Sequence, residues 1–291
     1  MGTEKKNVMI QKLNAEQLDA LVAAQNEIFA DYIIPTKSTT QFFIEFLKSV
    51  GGNVSDVKVA LDGKRIVGYV NPVIDGREGW IGGIGVVPDC RSQGIGTQLM
   101  NSAEEECKKR GVESIFLEVI DGNDRAMKLY ESLGYIAVRK FVTAEGKPAR
   151  FEGFGQSPKV ASFSDVLYLH ERAYASACWQ RRKRAAIVQS AKGAELYKME
   201  GGFVVIRTIE TSGFIPFLGV IPEARGRGVG TGLAKFALTR LWDAGAFKVA
   251  LFNLNEDQAT MRLLDKFDFK VTMKQTEMMK SLVERRAYAL H

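Results

Sequence analysis

Apolar positions along the chain alternate between two periods. From Ala15 to Ala30, Leu18, Leu21, Val22, Ile28 and Phe29 fall at helical spacing, and Phe42, Phe43, Phe46 and Leu47 mark a second helix. VMIQKL predicts a short strand. VKVAL, a turn at Asp62-Gly63, RIVGYVNPVI and WIGGIGVV then predict an antiparallel meander. A helix starts at Gly96 with Leu99, Met100, Ala103 and Cys107 on one side, followed by the strand IFLEVI, a helix over 124–133 and a strand from Tyr135. The stretch TAEGKPARFEGFGQSPK (143–159) keeps no steady period and reads as a linker or long loop. Residues 163–191 read as mainly helical, and from Glu195 the earlier order of elements returns.

That return is a duplication. GVVPDCRSQGIGTQL (85–99) aligns with GVIPEARGRGVGTGL (219–233), so Arg91 pairs with Arg225 at an offset of 134. The same offset runs without a gap through Gly111/Gly245, Leu117/Leu251 and Met127/Met261 to Tyr135/Phe269. The expected architecture is α+β: two units, each a mixed, mostly antiparallel sheet flanked by helices. The boundary falls near residue 150, giving domains of 1–148 and 149–291.

Composition narrows the function classes. With 291 residues, 46% of them hydrophobic, the chain can fill two cores, and no apolar run reaches the roughly 18–20 residues a membrane span needs. The opening MGTEKKNVMIQKL lacks the apolar stretch of a secretory signal, which predicts a soluble, cytoplasmic protein. Three cysteines and two histidines show no metal-ligand spacing, so no metal is expected. A net charge of +6 favours an anionic partner, either a nucleic acid or a phosphate-rich cofactor. No nucleic-acid recognition module accompanies the charge, which makes nucleic acid the weaker reading.

The turn Arg91-Ser92-Gln93-Gly94-Ile95-Gly96-Thr97 joins a strand to an amphipathic helix. Unpaired amides at a helix N-terminus hold phosphate, and glycines let the anion approach. Arg91 can add a charge-assisted contact. Its counterpart is Arg225-Gly226-Arg227-Gly228-Val229-Gly230-Thr231, after a strand ending in Val220. Neither turn has the Lys-Ser/Thr ending of a P-loop, and Leu99 stands where a dinucleotide fingerprint needs its third glycine.

Arg-x-x-Gly-x-Gly after a strand carrying Val-x-Pro, then a helix, a strand and Asn123, Ala126, Leu129, Tyr130, Gly134 and Tyr135, resembles the GCN5-related N-acetyltransferases (GNAT). The resemblance implies acetyl-CoA as co-substrate. Its pyrophosphate would lie on the amides of Ser92, Gln93, Gly94, Ile95, Gly96 and Thr97, its pantetheine beside Ile84, Gly85, Val86 and Val87, with Asn123 and Ala126 close by. Asn123 also suits an N-cap.

In IFLEVI, strand alternation puts Glu118 on one face with Phe116 and Ile120. Such a carboxylate is either paired, partly exposed or at work. Leu-Glu-Val before Asn-x-x-Ala-x-x-Leu-Tyr resembles the ribosomal-protein N-terminal acetyltransferases, which implies Glu118 as general base, direct or through water, and Tyr130 as general acid. Tyr130 alone reads equally as a core aromatic. At the same offset Glu118 becomes Phe252 and Tyr130 becomes Leu264, so the second half is expected to bind CoA weakly or to act structurally. Arg181-Arg182-Lys183-Arg184 reads as a solvated helix face, with reception of an acidic substrate or the 3′-phosphate as the sharper reading. Asp31, Tyr32 and Glu78 are candidates for an acceptor cleft, and Cys90 reads as packing. The expected function is acetyl-CoA-dependent transfer to a primary amine of a small molecule or peptide by direct attack in a ternary complex. The alternative is a non-catalytic acyl-CoA sensor.

Overall fold

A computed structural model describes residues 8–33, 37–153, 157–175 and 177–283. In the first half, β1 (Met9–Lys12) precedes α1 (Leu18–Ile28) and α2 (Thr40–Ser49). The meander β2 (Lys58–Asp62), β3 (Arg65–Asp75) and β4 (Glu78–Val86) follows, then α3 (Ile95–Lys109), β5 (Ser114–Ile120), α4 (Asp124–Ser132) and β6 (Ile136–Gly146). The second half runs β7 (Lys159–Val160), α5 (Phe163–Ala173), α6 (Trp179–Arg182), α7 (Arg184–Ser190), β8 (Glu195–Met199), β9 (Gly202–Ile209) and β10 (Ser212–Val220). It ends with α8 (Val229–Asp243), β11 (Lys248–Asn255), α9 (Gln258–Lys266) and β12 (Lys270–Ser281). The sequence pattern anticipated these elements apart from β7 and the end of β6, which fall in the stretch read as a linker. Caps fix their starts: Thr39 accepts from the Phe42 amide, and Asn123 accepts from the Ala126 amide at 3.1 Å.

The compact units do not coincide with the two halves. One unit holds the chain up to Val138 together with the segment from Thr276, and the other holds Arg139–Gln275. Residues 143–146, expected to begin a linker, are strand in the second unit, where Ala144 is fully buried. Their backbone pairs antiparallel with β11, Gly146 opposite Val249 and Ala144 opposite Leu251. Partners so distant in sequence leave no local periodic signal, which is why composition there resembled a loop.

In the first unit, β1 to β4 pair antiparallel in order and β5 joins β4 in parallel. Leu99, Met100, Ala103 and Cys107 of α3 are fully buried and share a core with Ile115, Leu117 and Val119 of β5. The end of β12 completes this unit, with Met278 in the same core and Lys280 paired at 2.5 Å with the buried Glu104. In the second unit the sheet order is β6-β11-β10-β9-β8-β7, with β10 and β11 parallel. Among the described residues, no helix is long and apolar enough to cross a membrane.

Candidate active site

The parallel pairing of β4 with β5 spans only Glu78–Ile81 against Ser114–Leu117. Beyond it β4 continues to Val86 and β5 to Ile120, so the strands part. A cavity of about 430 Å³ reaches from the outer stretch of β4 to the start of α3. Of the sequence-predicted residues, Ile84, Gly85, Val86, Arg91, Ser92, Gly94, Ile95, Gly96, Thr97, Asn123, Ala126 and Tyr130 line it. Val87, Gln93 and Glu118 do not. Val87 is fully buried, with its amide on the Val67 carbonyl, and the Gln93 amide nitrogen turns toward the Asp89 carbonyl at 3.4 Å.

The turn has the geometry an anion needs. Gly94 is the N-cap of α3 at φ +81° and brings no side chain to occupy the first amides, and the space its Cβ would take is open. Ser92 is also left-handed, at φ +64°, and the duplicated turn places Gly226 there at φ +75°. Left-handed residues in such a turn gather N–H groups into a concavity for an anion. These features fit a coenzyme pyrophosphate.

Arg91 is placed differently from the expectation that it reaches for phosphate. Its Nε donates to the Val86 carbonyl, Nη2 donates to the Ile28 carbonyl, and the guanidinium grips Asp31 with two bonds of 2.6 and 2.8 Å. It ties the end of α1 to the end of β4, and its hydrogen bonds hold the Asp31 carboxyl below the usual carboxylate range. Asp31 and Tyr32 therefore line the cavity, as do Ile28, Phe29, Ile33, Cys90, Arg125 and Leu129. Glu78 begins β4 opposite Asp75 and Ser114, away from the cavity lining. Cys90 is fully buried.

Tyr130 is buried at the cavity wall, edge-on to Tyr135. Burial drives its phenol well above the ordinary value, and Tyr32 and Tyr69 nearby add to the shift. It therefore keeps its O–H throughout the neutral range. Asn123 donates to the Tyr32 hydroxyl at 3.2 Å while capping α4. Glu118 sits on β5 one position past the last paired residue, and its Oε2 accepts the Trp80 indole N–H at 2.7 Å.

A profile of the acetyltransferase (GNAT) family matches residues 21–135 and 171–269. The chain belongs to the acetyltransferase (GNAT) family. A stretch of 87 residues is 34% identical to N-alpha-acetyltransferase 30 of Schizosaccharomyces pombe and covers 28% of this chain and 58% of that relative's length. Among solved structures, a GCN5-related N-acetyltransferase from Sphaerobacter thermophilus is 16% identical, with a TM-score of 0.73 over 94% of this chain and 95% of that one. A tandem GNAT protein from the clavulanic acid biosynthesis pathway is 14% identical, with a TM-score of 0.67 over 96% and 99%.

The second GNAT repeat keeps the turn and alters the cleft. Gly228 is left-handed at φ +81°, and Arg225 donates from Nε to the Val220 carbonyl, as Arg91 does to Val86. Arg227, Gly228, Val229, Thr231, Lys235 and Lys266 border a depression of about 490 Å³. Gly226, Gly230 and Val220 do not line it, and Gly230 faces the Val220 side chain. β10 parts from β11 after Phe214/Ala250, repeating the opening of the first unit. Here the opening is filled. The Tyr174 hydroxyl donates to the Leu218 carbonyl at 2.7 Å and accepts from the Leu218 amide at 3.2 Å. Leu218 is the counterpart of Ile84. Arg181 braces this tyrosine by donating to its hydroxyl and to the Phe252 carbonyl. Arg181 is thus buried and not part of a solvated face, because its charge is spent on the cleft it closes. Asp257, the Asn123 counterpart, remains a helix cap, and Leu264 is buried where Tyr130 stands in the first unit.

Proposed function

We propose that the chain transfers an acetyl group from acetyl-CoA to a primary amine of a small molecule or peptide by direct attack in a ternary complex. The observation that carries the reading is one cavity joining the glycine-edged start of α3 to the parting of β4 and β5, with a buried phenol on its wall. When bound, acetyl-CoA supplies an activated thioester. Ser92, Gly94, Ile95, Gly96 and Thr97 offer main-chain N–H groups to the pyrophosphate, and Ile84–Val86 offer the open edge of β4 to the pantetheine. Amides near Val86 stabilise the charge that develops on the carbonyl oxygen. Tyr130 holds an O–H for the departing sulfur, and Glu118 takes one proton from the attacking amine, directly or through water. Proton transfer of this kind contributes about 10²–10⁴-fold for each group.

The second unit takes no part in chemistry on this reading. Phe252 and Leu264 cannot exchange protons, and Tyr174 occupies the strand edge that pantetheine would need. The test is a CoA-release assay across alkylamines, amino acids, aminoglycosides and peptides. Release with at least one amine supports transfer. Acetyl-CoA binding with no acceptor ever modified supports the non-catalytic sensor instead.

A further inference from the structure

Three elements of the first unit bring hydrogen-bond acceptors to one spot where β4 and β5 part. Asn71 on β3 is 1% exposed, and its Oδ1 has no donor among the described residues. It lies opposite an irregularity in β4: the register passes from Val70↔Ile84 to Pro72↔Ile81, so Gly82 and Gly83 together face it. The position a Gly83 Cβ would take is 3.0 Å from Asn71 Oδ1 and 3.1 Å from the Tyr69 hydroxyl. That hydroxyl accepts from Gln25 Nε2 at 3.1 Å, and Gln25 Oε1 is a second buried oxygen lacking a donor among the described residues.

The surroundings select a cation. The Trp80 ring lies over Gly82 with Phe46 tilted against it at 6.3 Å, and its indole N–H holds Glu118 at 2.7 Å. Asn71, Gln25 and Tyr69 do not themselves line the cavity; the Tyr69 ring meets that of Phe29 edge-on at 6.5 Å, and Phe29 is a cavity wall, so the spot lies one ring behind it. Folded proteins seldom leave buried acceptors without donors. Two of them beside a carboxylate and an aromatic face call for a group that brings several N–H bonds and positive charge.

We infer that Asn71 and Gln25 receive the N–H groups of the acceptor amine, and that the acceptor is a primary ammonium with no carboxylate on the carbon that bears it. The inference rests on the acetyl-transfer reading for what happens next: the bound ammonium releases one proton to solvent, and the neutral amine then attacks and gives a second to Glu118. An ammonium satisfies both oxygens and faces the indole. A carboxylate on the adjacent carbon would be brought toward Glu118 and two carbonyl oxygens, and like charges so placed repel. Asn71 and Gln25 are positioning and specificity residues on this account.

The experiment uses the full chain with paired probes, each amino acid having its α-amine as its one amine: phenethylamine and phenylalanine, isoamylamine and leucine, glycinamide and glycine. At least one amine is expected to be acetylated with kcat/KM about tenfold or more above its carboxylated partner. Asn71→Leu should raise the amine KM by about tenfold, with kcat changed far less and acetyl-CoA affinity unchanged. Its melting temperature should hold or rise, since an apolar isostere removes an unsatisfied oxygen. Gln25→Met should shift KM the same way. A preference for the amino acids overturns the inference, as does an unmoved KM in both variants, which would mean that the cluster holds internal water only. If no probe is acetylated, calorimetric titration of the CoA-loaded chain decides. Amine binding that weakens in Asn71→Leu keeps the inference and sinks only the transfer reading; no amine binding sinks the inference.

Discussion

Trp80 and Glu118 are joined by a 2.7 Å hydrogen bond between neighbouring strands, and the duplicate positions hold Phe214 and Phe252, their rings stacked 6.3 Å apart. A polar pair at the strand parting has become an apolar one while the backbone frame is kept. Glu118→Gln preserves an oxygen for the indole and removes the proposed base. We expect kcat to fall about 10²–10⁴-fold with acetyl-CoA affinity unchanged, checked by CoA release and calorimetry.

Tyr130→Phe separates burial from chemistry. The ring keeps its place beside Tyr135, so the fold and coenzyme binding should persist while kcat drops by about 10²-fold or more. Burial raises the phenol's pKa, so its proton is retained as pH rises through the ordinary tyrosine value near 10. The wild-type pH–rate profile should show no alkaline loss from this group below about pH 10.

One coenzyme should bind per chain. Gly94 and Gly228 share the same left-handed φ of +81°, but only the first adjoins an open strand edge. Calorimetry should give a stoichiometry of one. Gly94→Val should weaken acetyl-CoA binding about tenfold or more, and Gly228→Val should leave it unchanged, because a Cβ at φ > 0 costs roughly 1–2 kcal/mol and crowds the anion only where one binds. A stoichiometry of two would show that Tyr174 yields its place.

His170 gives the second unit an acid sensitivity. It is fully enclosed, stacked on Tyr174 at 5.1 Å, with Nε2 on the Arg181 carbonyl at 2.6 Å. Burial lowers its pKa from 6.5 to about 4. The folded state therefore binds this proton more weakly than the unfolded state does. The contribution is present in full above pH 6.5 and is lost as pH falls toward 4, amounting to roughly 3 kcal/mol at the acid end. Thermal melts from pH 7.5 to 4 should show a steeper decline for the wild type than for His170→Gln.

Met278, 1% exposed, packs in the core of the first unit although it lies near the other end of the chain. Met278→Ala should destabilise that unit by about 2–5 kcal/mol, read as a drop in denaturation midpoint. Acetyl-CoA should recover part of the loss by mass action.

The offset of 134 made most of the frame legible, because an ungapped repeat carries strands, helices and both glycine turns together. The cavity lining followed from that frame wherever main chain or a helix face decides it, as at Ile84–Val86, Gly94–Thr97 and Tyr130. Side-chain direction did not follow. Arg91 carries the right charge near the turn, yet Asp31 and two carbonyls claim its hydrogens. Arg181 looked like one residue of a basic run and is buried against Tyr174, in the helical opening of the second half that has no counterpart alignment to the first. Asn71 and Gln25 gave no sequence signal, since amides within apolar runs become informative only when their neighbours are known.

Duplication ordinarily leaves a spare copy that a lineage can lose. Here β6 of the first half is built into the second unit and the end of β12 is built into the first, so deleting either half removes a strand from what remains. On the proposed reading, the repeat without a proton-transfer pair serves as scaffolding for the one that has it. On that reading, selection on the first site maintains a second site with no reaction of its own, and cleavage of the chain near residue 150 would divide the sequence without freeing two domains.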